Sequence, residues 1–102
     1  MKIMDSLIYH IVIKTPMGYR VGDISLNIDV DRICGTIEAP CFEPSFTGIL
    51  HDDSTMSLTF SVTYENMQAE CAATGRISTY AIHISVPSGD FTYEIDGTAK
   101  RT

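Results

Sequence analysis

The sequence has no tryptophan, three cysteines, four prolines, and seven basic residues against thirteen acidic ones in 102. Most of these shortages close off a class of function. Cys34, Cys41 and Cys71 are odd in number and lack the paired spacing of a zinc site, so neither a disulfide framework nor a structural metal is expected. Free thiols fit a reducing cytoplasm, without a Cys34–Cys41 bridge. The net charge of −6 repels phosphate and anionic lipid, and no basic cluster exceeds Lys100-Arg101. Nucleic acid and membrane surfaces are therefore not expected partners. No apolar run approaches the ~20 residues of a spanning helix. The opening MKIMDSLIYH lacks the continuous apolar segment and small-residue cleavage site of a signal peptide.

Helical periodicity is missing as well. What recurs is alternation with period two, rich in Ile, Val, Thr, Tyr and Phe, which is the signature of half-buried strands. It is clear in Leu7-Tyr9-Ile11-Ile13, Met56-Leu58-Phe60-Val62, Tyr80-Ile82-Ile84-Val86 and Phe91-Tyr93-Ile95, with polar residues between. Turn chemistry punctuates the strands. Thr15-Pro16-Met17-Gly18 has Pro at the second position and Gly at the fourth, a type I turn followed by a residue suited to positive φ. Val86-Pro87-Ser88-Gly89 repeats the pattern, and Ala39-Pro40-Cys41-Phe42 keeps the proline. Thr63-Tyr64-Glu65-Asn66 keeps an Asn, which tolerates the left-handed region. The second positions of these turns, 16, 40, 64 and 87, lie 24, 24 and 23 residues apart, which reads as an internal repeat of four hairpins.

Four hairpins make eight strands, expected at about 6–14, 19–29, 32–39, 43–50, 55–63, 67–77, 80–86 and 90–99, after a leader at 1–5. The remaining connections, near Asp29-Val30-Asp31, His51-Asp52-Asp53-Ser54 and Ser78-Thr79, are short, so neighbours are antiparallel. No helix is available to cover the apolar face, and closure into a barrel removes both exposed edges. The expected fold is a single domain over 1–102: an all-β, eight-stranded antiparallel up-and-down barrel, calycin-like (lipocalin-like). A two-layer β-sandwich is the alternative. Gly22, Gly35, Gly48, Gly75 and Gly97 share the phase of the apolar residues in their strands. Inward glycine lets a wall bend sharply and makes room for a large neighbour or a ligand.

Short segments carry a family likeness: "TPMG" at 15–18, "CGTI" at 34–37, "SFTG" at 45–48, "AATG" at 72–75 and "DGTA" at 96–99. In these the chain resembles a family of small bacterial β-rich proteins and domains that repeat T-P-M-G hairpins between G-T or T-G strand segments. The resemblance covers nearly the whole chain and implies the β-rich fold. The family has no assigned activity, so it adds no site, and the second and third turns depart from its pattern.

Chemistry-bearing patterns are few. His10 and His83 fall on the outward phase, His51 lies in a turn, and none has a nucleophile partner by motif. Asp29, Asp31, His51, Asp52 and Asp53 collect at one end, but on separate connections and without a cation-loop pattern. Asp is an ordinary turn residue. The proline-glycine turns lack the phosphate-loop pattern. No catalytic residue, metal or cofactor is expected, and the chain reads as a non-enzyme.

The interior offers more. Tyr9, Tyr80 and Tyr93 are expected to point inward with Phe46, Phe60, Phe91, Met56 and Met67, and Tyr64 to sit at the mouth. An eight-stranded barrel either fills with side chains or holds one small ligand. Tyr9, Phe60, Tyr80, Phe91 and Tyr93 are the candidate contacts for a small apolar or aromatic molecule bound without catalysis, with the tyrosine hydroxyls as polar contacts. The alternative function is a structural or interaction module. Ile8, Val12, Tyr19 and Val21 form an apolar patch on the outer phase of the first two strands, open either to a second copy as a homodimer interface or to the leader Met1-Lys2-Ile3-Met4.

Overall fold

A computed structural model describes residues 5–64 and 66–100. The strands are β1 (Asp5–Thr15), β2 (Gly18–Asp29), β3 (Arg32–Glu38), β4 (Ser45–Leu50), β5 (Thr55–Tyr64), β6 (Met67–Ile77), β7 (Ala81–Ser88) and β8 (Phe91–Ala99). They form one closed barrel in sequence order, and β8 pairs with β1 from Glu94↔Lys14 to Ala99↔Tyr9. All neighbours are antiparallel. This is the expected up-and-down barrel.

The alternation read from the sequence places the core. Ile11, Ile13, Ile24, Leu26, Ile33, Ile37, Leu58, Ile82, Ile84, Val86 and Ile95 turn inward and are buried. Burial of each such side chain contributes about 1.5–3 kcal/mol. The outward positions between them are mostly Ser, Thr, His, Asp, Glu, Lys or Arg, the reverse of the lipid-facing band of a membrane barrel. Among the described residues, no helix is long and apolar enough to cross a membrane.

The four hairpin connections share one end, but they are not four copies of one turn. Thr15 pairs with Gly18, which takes φ 103° as the turn chemistry requires. Thr15 Oγ1 accepts from Met17 N at 3.1 Å and donates to Gly18 O at 2.7 Å. Asn66 takes φ 64°, with Tyr64 paired to Met67. The Val86–Gly89 turn is corrected. β7 runs on through Pro87 and Ser88, Ser88 pairs with Phe91, and the turn is Gly89-Asp90 with Gly89 at φ 63°. Positive φ at the first central residue alone is the hairpin-favoured type II′ pattern, whose twist matches the strands. Between β3 and β4, the segment 39–44 completes the wall beside β5. Thr63 N donates to Cys41 O at 2.7 Å and Glu43 N to Ser61 O at 2.9 Å.

The inward glycines serve the wall itself. A Cβ at Gly97 would meet Ile11 Cγ2 at 2.7 Å and Ile82 Cγ2 at 2.8 Å. One at Gly35 would collide with the Phe46 ring, and one at Gly48 with the Leu58 side chain. The room made by these glycines is taken by neighbouring core side chains and by backbone carbonyls.

The barrel closes unevenly. β1 and β2 pair over eleven residues each, from Asp5↔Ile28 to Thr15↔Gly18. β6 and β7 pair only from Ile77↔Ile82 to Thr74↔Ser85. Beyond that, β6 stays paired to β5 as far as Met67, while its other edge has no strand partner among the described residues. Met67, expected inside, is therefore exposed (75%). Its phase is correct, but among the described residues no strand pairs with β6 on the β7 side at that level.

Candidate functional site

The interior aromatics gather toward the hairpin end. Phe60 stacks on Phe46 with ring centroids 4.7 Å apart. Phe42 meets Phe60 at 5.5 Å and Tyr93 at 5.3 Å, both edge to face. Phe91 meets Tyr93 at 5.1 Å. Such pairs add about 0.5–1.5 kcal/mol beyond area burial. Phe60 and Tyr93 are fully enclosed, and Phe91 is half-buried at the rim. Phe42 was not legible from alternation. It lies in the 39–44 connection, where the positive φ of Cys41 (74°) precedes it and an isolated bridge to Val62 fixes it.

Tyr9 is fully buried at the other end, and its hydroxyl donates to Ser78 O at 2.6 Å. Burial pushes its phenol above the ordinary tyrosine pKa. The expectation for Tyr80 is corrected. It precedes β7 in the Ser78–Ala81 turn, closed by Ser78 N→Ala81 O at 2.9 Å, and is 71% exposed. The alternation of β7 does not extend to it. Tyr9, Phe60, Phe91 and Tyr93 thus line the interior, and Tyr80 does not. The side chain of Tyr64 lies outside the described residues.

Several hollows open on the outer wall, and one of about 380 Å³ lies at the barrel end away from the hairpins, among Leu7, Ile28, Leu50 and Ile77. The one beside the predicted patch, about 600 Å³, lies between β8, β1 and β2 over Ile11, Gly22 and Gly97. Val12 and Val21 are direct cross-strand partners on its rim. All four predicted patch residues are exposed: Ile8, Val12, Tyr19 and Val21. Lys14 pairs with Tyr19 at the hairpin end of the patch, and His10 with Asp23 toward the other end. His10 Nδ1 lies 2.7 Å from Asp23 Oδ1. The leader Met1–Met4 lies outside the described residues.

A polar cluster that no motif announced sits on the outer face of β7 and β8. His83 Nδ1 is 2.6 Å from Asp96 Oδ1, and Nε2 is 3.4 Å from Glu94 Oε1 and 3.5 Å from Ser85 Oγ. The connectivity is that of Asp, His and Ser, but the serine hydroxyl donates to Glu94 at 2.6 Å. Ser85 and His83 also sit in ladders with both neighbours, so their backbone N–H groups do not form an oxyanion hole. The register, not the sequence spacing, brings these residues together. At the acidic end, Asp53 Oδ1 accepts from Thr55 Oγ1 at 2.6 Å and Thr55 N at 3.1 Å. The side-chain bond to Thr55 leads the causes holding its carboxyl below the usual range. Among the described residues no group of three or more His, Cys, Asp or Glu is placed to hold a metal ion.

Comparison of the chain with family models, with curated proteins and with solved structures finds no match in any of the three.

Proposed function

We propose that the protein is a non-catalytic interaction module that self-associates through the outer face of β1 and β2. The observation that carries this reading is the Val12↔Val21 pair, 44% and 77% exposed, flanked by exposed Ile8 and Tyr19 on a shallow hollow. The patch is suited to a second copy of itself. Lys14 lies at one end and Asp23 at the other, so a twofold arrangement can oppose unlike charges, as an isologous contact requires. Each chain carries a net charge of −6, so added salt screens the repulsion between copies and strengthens the dimer. Sedimentation across concentration and salt tests this. A dimer that strengthens with salt and is lost in Val21→Glu, the variant melting like the wild type at concentrations where both are monomeric, supports it. A strict monomer at high concentration overturns it.

A second reading keeps the interior as a binding site for a small apolar molecule. It is favoured by the position of half-buried Phe91 over the aromatic cluster, at the end where β6 and β7 part. Binding to the native state alone raises the melting temperature. A rise with 1-anilinonaphthalene-8-sulfonate that disappears in Phe91→Ala supports this reading. The absence of any rise counts against it.

A further inference from the structure

The place where β6 leaves β7 holds free backbone chemistry. Residues along a strand turn their N–H and C=O groups alternately to one neighbour and the other. Ile77 N bonds to Ser54 O and Ser78 N to Ala81 O, so odd residues of β6 face β5 and even ones face β7. On β7, Ala81 O faces β6 and Tyr80 O faces β8 through Ala99 N, so His83, Ser85 and position 87 turn toward β6. The last pair is Thr74↔Ser85. The next bonded pair would be Ala72 with Pro87, and proline has no N–H to give. The ladder stops there. Gln68, Glu70 and Ala72 present their N–H and C=O groups to a seam where no strand pairs with them among the described residues, and all three are exposed.

We infer that this edge of β6 accepts an extended segment of a partner polypeptide as an added strand, with a lysine or arginine facing Glu70. Main-chain hydrogen bonds to Gln68, Glu70 and Ala72 supply the binding, and alternate side chains supply the selectivity. Outward residues of the guest lie beside Glu70 on a chain of net charge −6, which selects a basic residue. Inward residues lie beside small apolar side chains, Ala69, Cys71 and Ala73, which selects apolar ones. A second copy of this chain fits poorly. Antiparallel pairing of two β6 edges about their centre sets Glu70 against Glu70, and like charges directly opposite destabilise a pair. The described chain itself enters at Asp5 and leaves at Lys100, both at the opposite end of the barrel.

The test uses the full chain and a fluorescein-labelled peptide of alternating valine and lysine. A matched peptide is N-methylated at every second residue, on the edge that would face β6. Anisotropy should show binding that falls at least 10-fold on N-methylation, with slowed amide exchange at Gln68, Glu70 and Ala72. Ala72→Pro removes an N–H that the β5–β6 ladder does not use, so the barrel is kept and binding should fall at least 10-fold. Glu70→Lys, which changes only an exposed side chain, should shift preference to a valine–glutamate peptide. Equal affinity for the methylated peptide, or wild-type affinity in Ala72→Pro, overturns the inference. Absence of binding overturns it too, as does a guest-free protein that pairs through β6 with itself. Val21→Glu should leave peptide binding unchanged, so failure here and failure of the β1–β2 reading are separately visible.

Discussion

The β1–β2 side and the β6–β7 side of this barrel are built from the same kind of strand, yet they expose opposite things. Along β1 and β2 every position from end to end has a cross-strand partner. The ladder between the two strands is complete, although β2 pairs with β3 only as far as Asp23↔Glu38, and what stands on their outer face is apolar side chain: Ile8, Val12, Tyr19 and Val21. Between β6 and β7 the ladder ends at Thr74↔Ser85. There the exposed side chains are mostly small or polar, and what remains is backbone with no ladder partner among the described residues. The first surface suits a partner of matching shape and apolar area. The second suits an extended chain, with selectivity added by Glu70. A closed barrel is the usual way to abolish sheet edges, and one proline on β7 restores part of one.

The contrast makes its largest prediction at two inward glycines. A Cβ at Gly97 would press on Ile11 and Ile82, one on each flanking strand, and both strands are paired along this stretch. A Cβ at Gly75 would meet His83 O at 2.6 Å, with Ile84 Cγ1 at 3.0 Å and Met56 Cε at 3.1 Å. Here β7 is one pair from the point where it parts from β6, and Met56 is an adaptable side chain. Gly97→Ala should therefore cost about 2–3 kcal/mol, the upper range for overpacking, and Gly75→Ala roughly 1 kcal/mol. Urea midpoints at constant m-value measure both. Equal costs would mean that the β6–β7 side is as stiff as the β8–β1 side, and the contrast between them would fail.

How much of this was legible in the sequence divides along a simple line. Alternation reads faces, and faces were right wherever a strand was flanked on both sides: Ile24, Leu58, Ile84 and Ile95 lie inside as their phase requires. Faces failed at strand ends. Tyr80 and Met67 continue the inward phase of β7 and β6, but one lies in a turn and the other beyond the last pair of β6 with β7. Neighbours were harder to read, because register comes from turn placement. Putting the last hairpin at Val86–Gly89 instead of Ser88–Phe91 moves each strand by two residues, which preserves every face and changes every partner. It sets His83 against Thr92 rather than Asp96, and so hides the polar cluster of Ser85, His83, Glu94 and Asp96. The same misplacement made Pro87 a turn residue and concealed its effect on the β6 edge. Phe42 was out of reach for another reason. It lies in a connection, and a core residue supplied by a loop leaves no periodic trace.

The smaller prediction concerns what limits the parting of β6 and β7. Their connection is pinned from across the barrel. Tyr9, on the fully paired side, donates its hydroxyl to Ser78 O in the β6–β7 turn. Tyr9→Phe removes one such bond and leaves a part-buried carbonyl without that donor, a loss of about 1 kcal/mol. Amide exchange near Ser78 and Ala81 should quicken, while exchange in the β1–β2 ladder keeps its rate. The effect has a pH signature. Burial holds the folded-state pKa of Tyr9 above its unfolded value, which is near 10. Below about pH 10 the contribution of the neutral phenol is complete. As pH rises through the folded pKa it is lost, because the unfolded chain releases that proton more readily. The stability gap between wild type and Tyr9→Phe should therefore be constant from neutral pH to about 10 and narrow above it. A gap that stays constant throughout the alkaline range would show that the folded chain ionises Tyr9 as readily as the unfolded one, and no gap at neutral pH would show that the β6–β7 turn is held by its own Ser78–Ala81 bonds.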